Sequence, residues 1–288
     1  MERELWPILY RQLRWLAQAT QQKYVHHHPW TVVAVLLWAA IHDRPVSWAC
    51  RPANWTTTRQ RPRQLPSAST ISRRTKRTSF GLFLNLLSDR LRGEGKPAWE
   101  LMIDGKPLLI GHCGKDPDAK PGRKGRGYKL HAIWGTRPMP EAWAVTPFNE
   151  YEGAVAVRLL PQLGRHVYGY LLADGNYDAS TVFAAADEVG YQLIAPPEDL
   201  PALHGRKDQH PARRRCVSMF RDGFGQQLLA DRGAIERRFG NAVSFGGGLA
   251  GLPAWVRRLG RVARWVWAKL AINAARIDFR QQQRQQMQ

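Results

Sequence analysis

The amino-acid sequence predicts a mixed α/β domain preceded by an all-helical, strongly basic region. Three observations carry this expectation. Apolar side chains over residues 1–92 recur at helical spacing, as in Leu5, Ile8, Leu9, Leu13 and Leu16. From Trp99 onward the pattern changes to short apolar segments bounded by turn formers. Later, Val167 to Ala173 forms a nearly continuous apolar run, suited to a strand buried on both faces. It leads through Asp174-Gly175-Asn176-Tyr177-Asp178 into a segment of helical period.

The formal net charge of +20 over 288 residues is the strongest global fact. It exceeds what solubility requires and points to a polyanionic partner, nucleic acid before an anionic membrane. The longest apolar run, Val32 to Ile41, is too short to span a bilayer. Cys50, Cys113 and Cys216 are too scattered for a disulfide framework or a zinc site. With no recognisable export signal at the amino end, a soluble cytoplasmic protein without a membrane partner is expected.

In chain order, Val32 to Ile41 predicts a buried helix, and His26-His27-His28 before it reads as a loop. Arg44 to Ser88 contains no acidic residue. A short helix around Val46 to Cys50 and a second starting at Pro66-Ser67 are expected there, the second presenting Ala68 to Arg74. Small polar and basic side chains on such a helix suit the DNA major groove. Arg73, Arg74 and Arg77 are therefore candidate DNA contacts in a helix-turn-helix, with a solvated basic linker as the plainer reading. Turn formers around Arg92 to Pro97 mark a boundary, dividing the chain into 1–95 and 96–288.

After the boundary, Trp99 to Ile103 and Leu108 to Ile110 read as two strand segments separated by Asp104-Gly105-Lys106-Pro107. His112 to Gly127 reads as a basic loop, and Tyr128 to Trp134 and Ala142 to Phe148 as strands. A helix over Glu152 to Leu163, the strand ending at Ala173, a helix that Asp178 would cap and Gly190 would stop, and a strand over Tyr191 to Ala195 follow. Three antiparallel strands followed by alternating helix and strand is the order of a ribonuclease-H-like sheet. Residues 197–230 read as irregular, Asp231 to Gly240 as helical, and Pro253 onward as a long amphipathic basic helix with a frayed glutamine-rich tail.

Against this basic background three acids stand in apolar settings: Asp104, Asp174 and Glu236. In such a sheet the strands before Asp104 and Asp174 are neighbours, and a following helix could bring Glu236 over them. Three converging carboxylates repel one another unless a cation joins them. Oxygen donors favour magnesium or manganese, and a pair of ions suits phosphodiester displacement. The plainer alternatives are that Asp104-Gly105 and Asp174-Gly175 only initiate turns, and that Glu236 pairs with Arg232 four residues earlier on a solvated helix face.

These residues resemble the DDE transposases of bacterial insertion sequences, in the group whose second acid opens an Asp-Gly-x-Tyr-Asp signature. Asp174-Gly175-Asn176-Tyr177-Asp178 matches it, Ile103-Asp104-Gly105-Lys106-Pro107 matches the first-acid motif, and Gly127-Tyr128-Lys129-Leu130-His131 matches the strand that follows. The third acid lies in Arg232-Gly233-Ala234-Ile235-Glu236-Arg237-Arg238-Phe239-Gly240, with Leu229 and Val243 where the family signature carries tyrosine and lysine. Only 62 residues separate Asp174 from Glu236, which leaves no room for a large inserted β domain. The resemblance implies magnesium- or manganese-dependent cleavage at terminal inverted repeats, with 3′-hydroxyl transfer into target DNA. Asp104, Asp174 and Glu236 would hold two metal ions. Arg232 would orient Glu236 or meet a phosphate, and Lys129 is a weaker phosphate contact. A homodimer on paired DNA ends and a nucleoid location are implied as well.

Overall fold

The computed structural model describes residues 2–20, 27–56, 59–111, 115–165, 168–197, 209–230, 233–243, 248–249 and 251–286. They fall into two compact units. One comprises Met1–Glu94 together with Ala242–Gln288, the other Gly95–Asn241. The carboxyl-terminal segment Ala242–Gln288 belongs to the first unit, where its helix packs with the amino-terminal helices.

The first unit is helical: α1 (Glu2–Ala19), α2 (Pro29–Ile41), α3 (Val46–Ala49), α4 (Ala68–Arg74), α5 (Thr78–Arg92) and α11 (Leu259–Gln286). The apolar run α2 is buried along nearly its whole length. Trp38 on α2 stacks on Trp55 at 4.5 Å and meets Trp6 of α1 edge-on at 4.9 Å. The indole N–H groups of Trp38, Trp55 and Trp6 donate to the carbonyls of Asn54, Ala49 and Gln60 respectively, so the aromatic cluster carries no unpaired donor. Helix α11 differs from the amphipathic, frayed helix expected. Trp265 to Arg276 are all buried, and the helix continues to Gln286. Lys269 is buried within it, and its Nζ donates to Ala40 O (2.7 Å) and Asp43 Oδ1 (2.5 Å).

Helix α4 begins where expected, with Ser67 Oγ accepting from Thr70 N. The tight helix pair is nevertheless α4–α5, joined by residues 75–77, because residues 50–67 separate α3 from α4. Helix α4, expected to follow a short helix closely, is instead the first of this sequence-adjacent pair.

The second unit is built on six strands: β1 (Glu100–Leu109), β2 (Lys120–Gly122), β3 (Gly125–Trp134), β4 (Ala142–Pro147), β5 (Gly169–Leu172) and β6 (Tyr191–Ile194). The order is β2-β3-β1-β5-β6, with β4 also on β3. Pairs β1–β3 and β3–β4 are antiparallel; β1–β5 and β5–β6 are parallel. Helices α6 (Glu152–Leu159) and α7 (Ser180–Glu188) pack on the core that includes Leu101, Ile103, Ile133 and Leu171. Gly190, at φ 85°, ends α7 as its composition requires.

Two expectations change here. Residues 101–109 form one strand, not two segments, because β3 pairs with it continuously through Asp104-Gly105-Lys106-Pro107. The basic stretch after it contains the short hairpin β2–β3; residues 112–114 lie outside the described residues. The stretch read as irregular contains α8 (Pro211–Arg221) and α9 (Phe224–Ala230), followed by α10 (Gly233–Val243). Pro211 starts α8 at its first turn, where a missing N–H costs nothing, and Ala212, Cys216 and Phe220 form its buried stripe. Among the described residues no helix is long and apolar enough to cross a membrane.

Candidate active site

The parallel register of β1 and β5 sets the geometry of the site. Met102 and Leu172 form the last parallel pair, and two residues further on come Asp104, still inside β1, and Asp174, just past the end of β5. Strand neighbours lie about 4.8 Å apart, and residues two apart share a face. Both aspartates are half-buried. Asp104 Oδ1 accepts from Gly105 N at 2.7 Å. Asp174 Oδ1 accepts from Asn176 N at 3.0 Å, and its Oδ2 from Asn176 Nδ2 at 3.3 Å. These bonds hold each carboxylate against its own backbone, and after Asp174 the single turn Gly175–Tyr177 takes the chain away from β5.

The face that carries Asp104 also carries Met102 and, across the β1–β3 pair, Trp134. Helix α10 packs there: Phe239 meets Trp134 edge-on at 5.6 Å, and Arg238 donates to Thr136 O at 2.9 Å. Glu236 is thus on a helix seated over the aspartate face, with its own side chain exposed. Among the described residues no three carboxylate, imidazole or thiol groups are gathered closely enough to hold a metal ion, so Glu236 does not join the two aspartates here. Arg232 lies outside the described residues.

Lys129 is on the other face. It pairs with Glu152 at the start of α6, and its ammonium lies 5.3 Å from the Phe148 ring. Gly105 makes room for it, since a Cβ there would meet Lys129 Cδ at 2.8 Å. Lys106 is instead the lysine on the aspartate face, two residues beyond Asp104. Burial lowers its pKa, with Lys124 adding repulsion and Asp104 opposing both. Sequence reasoning misses Lys106 because Asp104-Gly105 looks like a break. An unbroken strand gives Asp104 and Lys106 one face.

Asp178 does not cap α7. Ala179 is the residue before the helix, and Asp178 makes a bidentate pair with Arg213 of α8 at 2.7 Å on both arms. That hydrogen bond raises the Arg213 pKa against the effect of burial. In the first unit, Arg73 and Arg74 end α4 and Arg77 precedes α5, so all three flank one tight turn. Arg73 and Arg77 are exposed and Arg74 is half-buried.

Comparison with known proteins adds the following. The family model described as Transposase DDE domain matches residues 95–273. No curated protein matches the chain. Among solved structures, a chain of the piggyBac transposase synaptic complex with hairpin DNA is similar, with 10% identity and a TM-score of 0.37 over 70% of this chain. The alignment covers 52% of that chain, so the present one spans about half the length of the solved structure it matches. The matched stretch runs through β1 with Asp104, β5 with the Asp174 turn and α10 with Glu236, and it takes in more than half of the residues: the chain belongs to the Transposase DDE domain family.

Proposed function

We propose that this protein is a DNA transposase of the bacterial insertion-sequence type, which cleaves the terminal inverted repeats of its element and joins the freed 3′ hydroxyls to target DNA. The observation that carries the reading is the parallel pairing of β1 with β5, whose last pair, Met102 with Leu172, is followed two residues later on each strand path by Asp104 and Asp174. The strand order, with an antiparallel β4-β3-β1 portion and a parallel β1-β5-β6 portion, supports a ribonuclease-H-like assignment.

The donor set fits a hard divalent cation. Two half-exposed carboxylates on one face offer oxygen ligands only, which suits magnesium or manganese. Asp104 and Asp174 would hold the metal and Glu236 would be the third carboxylate. A bound pair of ions would supply Lewis-acid activation of the attacking hydroxyl and stabilisation of the leaving oxygen. Lys106, on the same face, would meet the scissile-strand phosphate and offset its charge. Arg73, Arg74 and Arg77 would contact the DNA backbone from the α4–α5 turn, and Arg232 would orient Glu236 or bind phosphate. Two ends must be processed together, which makes a homodimer on paired ends the working assembly, in a bacterial cytoplasm at the nucleoid.

The test supplies duplexes of the element's ends, pre-cut to expose the 3′ hydroxyl, with a supercoiled plasmid and magnesium. The proposal predicts plasmid joined to the duplexes. Nicked plasmid without joined product would identify a nuclease that lacks strand transfer and would overturn it.

A further inference from the structure

The first unit contains a cleft of about 930 Å³ between α1, the start of α2 and residues 59–64, and Arg73, Arg74 and Arg77 are not among the residues that line it. Arg14, Arg59, Arg61 and Arg63 line it, and among the described residues no acidic side chain does. Four guanidinium groups around one cleft repel one another, and the arrangement is stabilised when an anion enters. The basic segment is fixed in place: Trp6 Nε1 donates to Gln60 O at 2.8 Å, Tyr10 Oη to Arg61 O at 3.4 Å, and Arg61 Nη1 to Pro52 O at 3.2 Å.

Other features of the cleft select the kind of anion. Its aromatic rings are already engaged, since the Arg14 guanidinium lies 5.3 Å from the Trp30 ring and Trp30 meets Tyr10 edge-on. With an arginine already held near the Trp30 ring, the cleft favours backbone phosphate over a stacked base. His28 adds no charge. Its Nδ1 accepts from Trp30 N, so the proton is on Nε2, which donates to Thr20 O, and a second proton would face the Trp30 N–H. His27, Thr31 and Gln64 complete the polar lining, and the permanent charge of the cleft comes from its four fork-shaped guanidinium donors, matched to phosphate.

We infer that this cleft grips the phosphate backbone of duplex DNA without reading its sequence, as a second contact separate from the α4–α5 turn. The inference rests on the transposase reading only for the identity of the polyanion as DNA. Arg59 and Arg63 are exposed, so their replacement leaves the helical packing intact.

The experiment measures binding of the full chain to two labelled duplexes of unrelated sequence across a salt series. Arg59→Ala with Arg63→Ala should flatten the log–log salt dependence by about 1.8, at about 0.9 for each phosphate no longer neutralised, and weaken both duplexes about tenfold or more at about 0.1 M salt. The paired substitution Arg59→Lys with Arg63→Lys should restore most of the affinity, because it restores the charges. An unchanged slope in the alanine pair, or weakening confined to one duplex, would overturn the inference while leaving the transposase reading in place. Failure of the unsubstituted protein to bind either duplex would instead overturn the reading beneath it.

Discussion

His131 lies one register position along from Asp104 and on the opposite face, where burial leaves it 1% exposed. Its Nε2 contacts Thr146 Oγ1 at 3.0 Å, and among the described residues its Nδ1 has no hydrogen-bond partner. Thr146 Oγ1 donates to Pro147 O, so it must accept from His131. Nδ1 is therefore a bare, buried lone pair. Burial, then repulsion from Lys129 and Arg158, lowers the His131 pKa from 6.5 to about 3. Below pH 6.5 the unfolded chain binds a proton that the folded chain refuses, so this contribution to stability is full above that pH. It declines as the pH falls toward 3, by up to about 1.4 kcal/mol per unit. Urea denaturation between about pH 7.5 and about pH 4.5 should show this decline, and His131→Asn should flatten it. Equal pH slopes in the two proteins would remove His131 as the source. Nothing in the sequence marks this histidine as buried; its neighbours Leu130 and Ala132 suit a half-buried strand equally well. The aspartates are more legible, because Asp104 and Asp174 each close an apolar run. The partner of Asp178 is not legible, since Arg213 is 35 residues away in a stretch that lacks an evident period.

At the scale of elements, the Asp178–Arg213 pair ties the entry to α7 to the first turn of α8. The two side chains are 4% and 13% exposed, so removing one partner strands a desolvated charge. Arg213→Ala should cost about 3 kcal/mol in urea denaturation, while replacing both residues together should cost less than the sum of the single changes. Additive effects would show that the pair does not act as a unit. Strands and helices with a clean period or a cap are legible in the sequence. Helix α4 with Ser67 at its start, β3, β4, β6 and α7 all fall within a few residues of where the pattern puts them. Strand β1 reads as divided because Asp-Gly and Lys-Pro are turn signals locally, and only the pairing with β3 overrides them. Helices α8 and α9 are hidden by the neighbouring prolines and by Arg213-Arg214-Arg215, which obscure the stripe of Ala212, Cys216 and Phe220.

Over the whole molecule, chain adjacency misleads where packing decides. Helix α11 follows most of the family-matched core in sequence, yet it belongs to the compact unit formed with Met1–Glu94. Its buried Lys269 finds partners at Ala40 and Asp43, more than two hundred residues earlier, a pairing no local pattern announces. The unbroken burial from Trp265 to Arg276 is not legible either, because Lys269, Asn273 and Arg276 give the segment a polar side that reads as solvent-facing. The net charge of +20 gives the molecule its general attraction to a polyanion. The proposed chemistry rests on Asp104 and Asp174. The measurement that reaches this claim most directly is magnesium-dependent cleavage of duplexes carrying the element's ends, compared among the unsubstituted protein, Asp104→Asn, Asp174→Asn and the surface control Asp187→Asn. The account predicts that both site variants lose cleavage by at least about a hundredfold while keeping their DNA affinity, and that the control cleaves normally. Cleavage by Asp174→Asn at the unsubstituted rate would contradict it.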